Sequence, residues 1–232
     1  MSATTRSANT SKRHERHERT YGQFCPIAAG LDLLGDRWVL LICRELSFGD
    51  QRFTDLRTQL PGIAPNLLSE RLRTLQDAGL VVTAELPPPA ARTVYRLSAE
   101  GRRVVPVLRA VARFGAPYLD GQPAADFSAR SAAFALLAPW WRQPAAPTAP
   151  RRYRLVLGPA ADGNVIDLLA DGPRISVVAT DPEEPADIVI AATVDELSAA
   201  RKSEGVLTAA VTGTAAARRT FYESFDLRPA GA

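Results

Sequence analysis

Between Pro65 and Gly79 the chain reads PNLLSERLRTLQDAG, and its polar residues are spaced for contact. At about 100° per residue, Leu68, Leu72 and Leu75 form one stripe of a helix, while Asn66, Ser69, Glu70 and Arg73 gather opposite. An amide, a hydroxyl, a carboxylate and a guanidinium on one helical face are the groups that pair with base edges in the major groove of DNA. Any amphipathic surface helix shares this pattern, so the neighbouring elements decide. Other chemistries find less support. His14 and His17 are the only histidines and lie in a polar tail, so Ser–His–Asp and Cys–His catalysis lack a positioned base. HERHE has no ordered support for a metal, and no Gly-rich phosphate loop occurs. The expectation is a protein that is not an enzyme and uses no cofactor.

The elements that would position this face follow in order. QRFTDLRTQLPG (51–62) predicts a short helix with Phe53, Leu56 and Leu60 on one side, ended at Pro61-Gly62. Pro65 opens the next helix and Gly79 closes it. LVVTAEL (80–86) and TVYRLS (93–98) read as two strands joined by PPPAAR, a hairpin wing. Arg92, at its tip or base, is placed to reach phosphates or a minor groove, and the three prolines stiffen the loop. Ser98 reads as an N-cap with Glu100 in the first turn. Val104, Leu108, Val111, Gly115 and Tyr118 then share one face of a helix ending near Tyr118. Helix, helix, hairpin and long helix is the order of a winged helix.

With 232 residues the chain has room for one large or two small domains. A 46% hydrophobic content excludes wholesale disorder. No apolar run reaches about 18 residues, so no membrane span is expected. Residues 1–20 are polar and basic, which reads as a disordered tail and not a secretory signal. Cys25 and Cys43 make no disulfide framework. A cytoplasmic protein is expected. Net charge is +3, but residues 1–122 hold 17 basic against 12 acidic side chains and residues 123–232 hold 11 against 13. The basic front half suits a polyanion.

From Tyr153 onward the pattern changes. YRLVL, NVIDLL, RISVVAT and ADIVIAA read as strands separated by DG, DGP and DPEEP. Thr193 and Glu196 form a capping box ahead of a helix over 194–203, and Thr214 caps a last helix through about Phe225. Before them, 131–141 predicts a short apolar helix. This half is α+β, with an antiparallel sheet expected. Three parts result: a tail (1–20), a mainly α winged-helix domain with its β-hairpin wing (21–122), and an α+β domain (128–232).

CPIAAGLDLLGDRWVLLICREL (25–46), RFTDLRTQLPGIAPNLLSERLRTLQDAGLV and VYRLSAEGRRVVPVL together resemble the HxlR-type winged helix-turn-helix transcriptional regulators, over about Cys25 to Tyr118. The resemblance implies a homodimer, with the N-terminal and post-wing helices at its interface, on a pseudo-palindromic double-stranded operator. Asn66, Ser69, Glu70 and Arg73 would face the groove and Arg92 would contact DNA from the wing. Gly35-Asp36-Arg37-Trp38 would be scaffold, Asp36 starting a helix and Trp38 filling the core under it. Ala64 replaces the family's usual Ser, removing a hydroxyl cap. Phe114 stands where the family often has Trp, and its core role is expected to survive. Cys25 matches a position that some members use as a redox sensor, and its expected place at a helix start makes a reactive thiolate available. Cys43 reads as core.

ADIVIAATVDELSAARKSEGVLTAAVTGTAAARRTFYESF is similar to the end of a sterol-carrier-protein-type domain, a likeness covering roughly 130–232. It implies an apolar cavity between sheet and helices, lined by Phe134, Leu137, Trp140, Trp141, Phe221, Tyr222 and Phe225. Core packing alone accounts for any single one of these. Trp140 and Trp141, however, point about 100° apart on a helix, so one of them should meet a ligand, the other domain or a partner subunit. Three functions stand: a regulator modulated by a hydrophobic small-molecule effector; a regulator switched by thiol oxidation at Cys25 with a structural C-terminal domain; and a lipid carrier.

Overall fold

The computed structural model describes residues 20–85, 92–118, 132–142, 149–158, 165–172, 174–202 and 205–231. The basic tail with its two histidines, the proline-rich wing tip and the 143–148 linker lie outside these residues. Packing divides the chain into two compact units at Arg102/Arg103.

In the first unit, α1 (Pro26–Leu34), α2 (Val39–Ser47), α3 (Phe53–Gln59) and α4 (Pro65–Asp77) precede β1 (Val81–Glu85) and β2 (Thr93–Leu97). Its core is aliphatic. Ile42, Leu46, Leu56, Leu60, Leu68, Leu72, Leu75, Val81, Val94 and Leu97 are buried, each contributing about 1.5–3 kcal/mol on removal from water. Asp36 does not start α2. The chain leaves α1 at Gly35, Asp36 is exposed, and the N-cap is Trp38, whose φ of 79° is left-handed. No side chain caps α2. Trp38 is half-buried and its ring lies near Gly62 in the α3–α4 turn. A left-handed backbone at a residue other than glycine costs about 1–3 kcal/mol.

The wing is antiparallel, from Val81↔Leu97 to Glu85↔Thr93. Ser98 accepts from the backbone N–H of Gly101 at 2.9 Å and donates to the Gly79 carbonyl at 2.6 Å. Its capping role therefore begins a 3-10 turn, Gly101–Arg103, ahead of α5 (Val104–Gly115).

The second unit holds α5 and a five-stranded sheet of β3 (Arg151–Leu157), β4 (Val165–Asp171), β5 (Arg174–Ala179), β6 (Ile188–Ala192) and β8 (Ala210–Gly213), in the order β5-β4-β3-β6-β8. A short β7 (Val206–Leu207) pairs with β9 (Arg228–Pro229). The sheet is mixed and not antiparallel: β3 pairs with β6 in parallel, Tyr153↔Ile188 to Leu157↔Ala192. DPEEP, which reads as a turn, lies in a crossover from one sheet edge to the far side of β3. Asp167, wholly buried on β4, organises that crossover. It accepts from Arg152 at 3.0 Å and from Arg154 at 2.9 and 3.0 Å, and Arg154 also donates to the carbonyls of Asp181 and Glu184.

The opposite face of the sheet presents Tyr153, Leu155, Leu157, Ile166, Leu168, Ile188 and Ile190, all buried. α6 (Val194–Lys202) begins with the reciprocal bonds of Thr193 and Glu196, and α7 (Ala215–Phe225) with Thr214 accepting from Ala217. Of the helix expected over 131–141, residues 133–140 are not α-helical: a π turn spans Ala133–Leu137 and a 3-10 turn Ala138–Trp140. Trp141 leaves the helix with ψ of 125°, so the 100° argument for the tryptophan pair does not hold. Trp141 is buried, and half-buried Trp140 is covered by the Arg201 guanidinium, 4.1 Å from its ring centroid.

Candidate nucleic-acid interface

α4 separates its two faces completely. Leu68, Leu72 and Leu75 are at most 2% exposed, whereas Asn66, Ser69, Glu70 and Arg73 are all exposed. Pro65 occupies the first turn, and N-cap Ala64 provides no side-chain hydrogen bond, the consequence of lacking a hydroxyl there. Glu70 is held from the side by Arg71, whose Nη1 lies 2.8 Å from its carboxylate and 3.4 Å from that of Asp36. Arg73, exposed on the same face, forms no ion pair among the described residues. Arg92 is exposed immediately before β2.

Four further residues set the wing. The Arg96 guanidinium meets the Asp50 carboxylate at 2.5 Å. Gln51 and Tyr95 exchange backbone hydrogen bonds of 3.0 and 2.7 Å, adding a third strand-like contact to the hairpin. Because Gln51 and Arg52 lead into α3, the wing is fixed to the entry of the helix-turn-helix. No local spacing reveals these pairs, which join positions more than forty residues apart; the only cue is Asp50 and Gln51 standing before a helix start.

Cys25 is the N-cap of α1 and half-buried. Cys43 is buried, and burial pushes its thiol up to about 12. Exposed apolar side chains mark two helices. Phe24, Ile27 and Leu31 stand out at and along α1, and Val107, Val111 and Phe114 along α5, with Tyr118 just beyond. Phe114 is thus no core residue of the single chain: it is 73% exposed and its ring meets only that of Tyr118 among the described rings, 5.6 Å away. Of the expected apolar stripe only Val104 and Leu108 are buried, while Val111 on the same helix and Tyr118 beyond it are exposed.

Of the cavity residues expected in the second unit, Phe134, Leu137, Trp141, Phe221 and Phe225 are buried and Tyr222 is half-buried. Trp141, Phe221 and Phe225 surround Tyr153, with ring centroids 5.2–6.1 Å from it. Sequence reasoning missed Tyr153 as a member, because one aromatic in YRLVL looks like any strand residue. The described residues contain no group of three or more potential metal ligands and no helix long and apolar enough to cross a membrane.

Comparison with known proteins bears on the first unit and α5. Residues 33–123 match the HxlR-like helix-turn-helix family. The chain is 39% identical over 102 residues to the uncharacterized HTH-type transcriptional regulator sll1512 of Synechocystis, covering 43% of this chain and 73% of that one. It is 32% identical to the HTH-type regulator YvaP of Bacillus subtilis, covering 42% and 92%. The reduced form of the transcriptional regulator YodB from B. subtilis is 26% identical and covers 44% of this chain and all of that one, at a TM-score of 0.37. That score is too low to argue from, and the assignment rests on the sequence identities and the matched winged-helix elements. The chain belongs to the HxlR-like helix-turn-helix family of transcriptional regulators.

Proposed function

We propose that this protein is a homodimeric regulator that reads a pseudo-palindromic operator and is modulated by a small molecule bound in its C-terminal half. The single observation that carries the DNA-reading assignment is the division of α4 into a buried leucine stripe and an exposed face of Asn66, Ser69, Glu70 and Arg73. In this reading those four side chains enter the major groove and Arg92 holds a phosphate or minor-groove edge from the wing. Residues 21–122 act as the DNA-binding and dimerisation module, the exposed apolar faces of α1 and α5 supplying the subunit interface. Residues 128–232 form a sterol-carrier-like effector domain. A ligand there changes operator affinity to the extent that it binds the free and DNA-bound forms unequally. Selection of duplexes from a random pool, followed by footprinting upstream of the protein's own gene, tests this. A protected site with two related half-sites is expected, and binding without sequence preference refutes it.

A second reading rests on Cys25, which is half-buried at a helix start. Here oxidation of its thiol releases the operator and the C-terminal half is structural. Cys25→Ser should then retain the operator under an oxidant that releases the parent. Equal release from both eliminates this reading.

A further inference from the structure

Arg71 lies on the flank of α4, beside its exposed face, with a side chain only 12% exposed. Its Nη1 donates to Glu70 Oε1 at 2.8 Å and stands 3.4 Å from Asp36 Oδ2, in the loop between α1 and α2. The Glu70 side chain is 47% exposed, so it can be reached from outside while Arg71 holds it from within. One mostly buried guanidinium thus ties the edge of the exposed face to a neighbouring loop. Two carboxylates against one guanidinium leave a negative surplus, on a helix read as meeting a polyanion.

A carboxylate beside phosphates is disfavoured unless a base donates to it. It can only accept, and the donors of the major groove are the amino groups of cytosine and adenine. Adenine's amino group stands between two acceptors, its own N7 and thymine O4, both of which repel a carboxylate. Cytosine's has one such neighbour, guanine O6. The carboxylate therefore favours cytosine. It must also stay in place. An unheld Glu side chain loses rotamer freedom on docking, whereas one fixed by a mostly buried cation has lost it already in the folded protein. We infer that Glu70, oriented by Arg71, specifies a cytosine at one base step of each half-site. Arg71 is a positioning residue: it holds the carboxylate by one oxygen and offsets its repulsion by phosphates. The inference rests on the operator-reading proposal and deepens it, from a face that enters the groove to the base that one side chain selects.

The test selects duplexes from a random pool with the full chain and reads base preference step by step. The parent should require a C·G pair at one step that Glu70→Gln changes. Gln both donates and accepts, which suits adenine, so preference there should move towards A·T. The step relaxed by Arg73→Ala should be a different one. Arg71→Met keeps the apolar stem and loses the cation, and should lower discrimination at the Glu70 step about tenfold or more. Arg71→Lys should restore it. Where Arg71→Met does not fold, Arg71→Gln is read in its place. Melting temperatures are taken alongside, because a residue that only braced the loop would shift melting and leave base preference alone. The inference is overturned if Glu70→Gln keeps the parental preference at every step, or if the uncharged Arg71 variant does so. A parent that selects no sequence overturns the operator reading and this inference with it. A parent that selects an operator whose every step ignores Glu70 overturns the inference alone.

Discussion

Arg73 and Arg92 differ in what they can read, and the difference is measurable. A guanidinium on the exposed face of α4 can pair with a guanine edge, so in the proposed reading Arg73→Ala should cost about 1–3 kcal/mol and relax preference at one base step per half-site. In the DNA-reading proposal Arg92, at the wing, meets phosphate or minor-groove edges. Arg92→Ala should weaken binding to all duplexes and flatten the salt dependence. A gel-shift titration with both substitutions, in which affinity stays at the parental value, shows that the recognition surface lies elsewhere. A second residue-scale effect is set by burial. The Cys43 thiol is raised from 9.0 to about 12 in the folded chain, so the folded state disfavours its ionised form. Its contribution to stability is intact below about pH 9 and is lost as pH rises towards 12. Thermal melts across that range should show less alkaline destabilisation in Cys43→Ala than in the parent, after allowing for the cavity that the substitution leaves.

At the scale of elements, the post-wing turn leaves no room for a side chain at Gly101. A Cβ at Gly101 would stand 1.9 Å from the Leu80 carbonyl oxygen, and Leu80 directly precedes β1. Gly101→Ala must therefore push the post-wing turn away from the chain entering β1. It should cost about 2 kcal/mol or more in chemical denaturation, and parental stability would show that this contact yields freely. The sequence did not mark Gly101 in this way, because the clash partner lies across the hairpin. What was legible followed local rules: the leucine stripe of α4, the Thr193–Glu196 box and the Thr214 cap are short-range patterns that tertiary packing had only to accept. What was not legible depended on distant partners. Asp50–Arg96, the crossover pinned by Arg154 to Asp181 and Glu184, and the parallel register of β3 with β6 join segments that no window of residues compares. Trp38 belongs with these, since its left-handed backbone is sustained by surroundings and not by its own propensity. The exposed ring of Phe114 shows a related limit, because a residue can be apolar for a contact that one chain does not contain.

For the whole molecule, the subunit interface is the decisive expectation. Phe114→Glu places a charge on the exposed apolar face of α5 without touching buried Val104 or Leu108. In the dimer reading it should shift the protein towards monomer in light scattering and lower operator affinity at least about tenfold, since a monomer engages one half-site without the gain from linkage. A variant that stays dimeric and binds normally would move the interface off α5. The crossover between β5 and β6 carries a different consequence, for the chain as it is made. β3 is the middle strand of the sheet, yet one of its edges is filled only by β6, after Ile188 has been synthesised. Until then the β3–β4–β5 meander presents the open backbone edge of Arg151–Leu157, apolar on its inner face. An exposed edge of that kind recruits other strands. Ribosome pausing or premature termination between Ala179 and Ile188 should thus release aggregation-prone products, whereas termination before Arg151 should not.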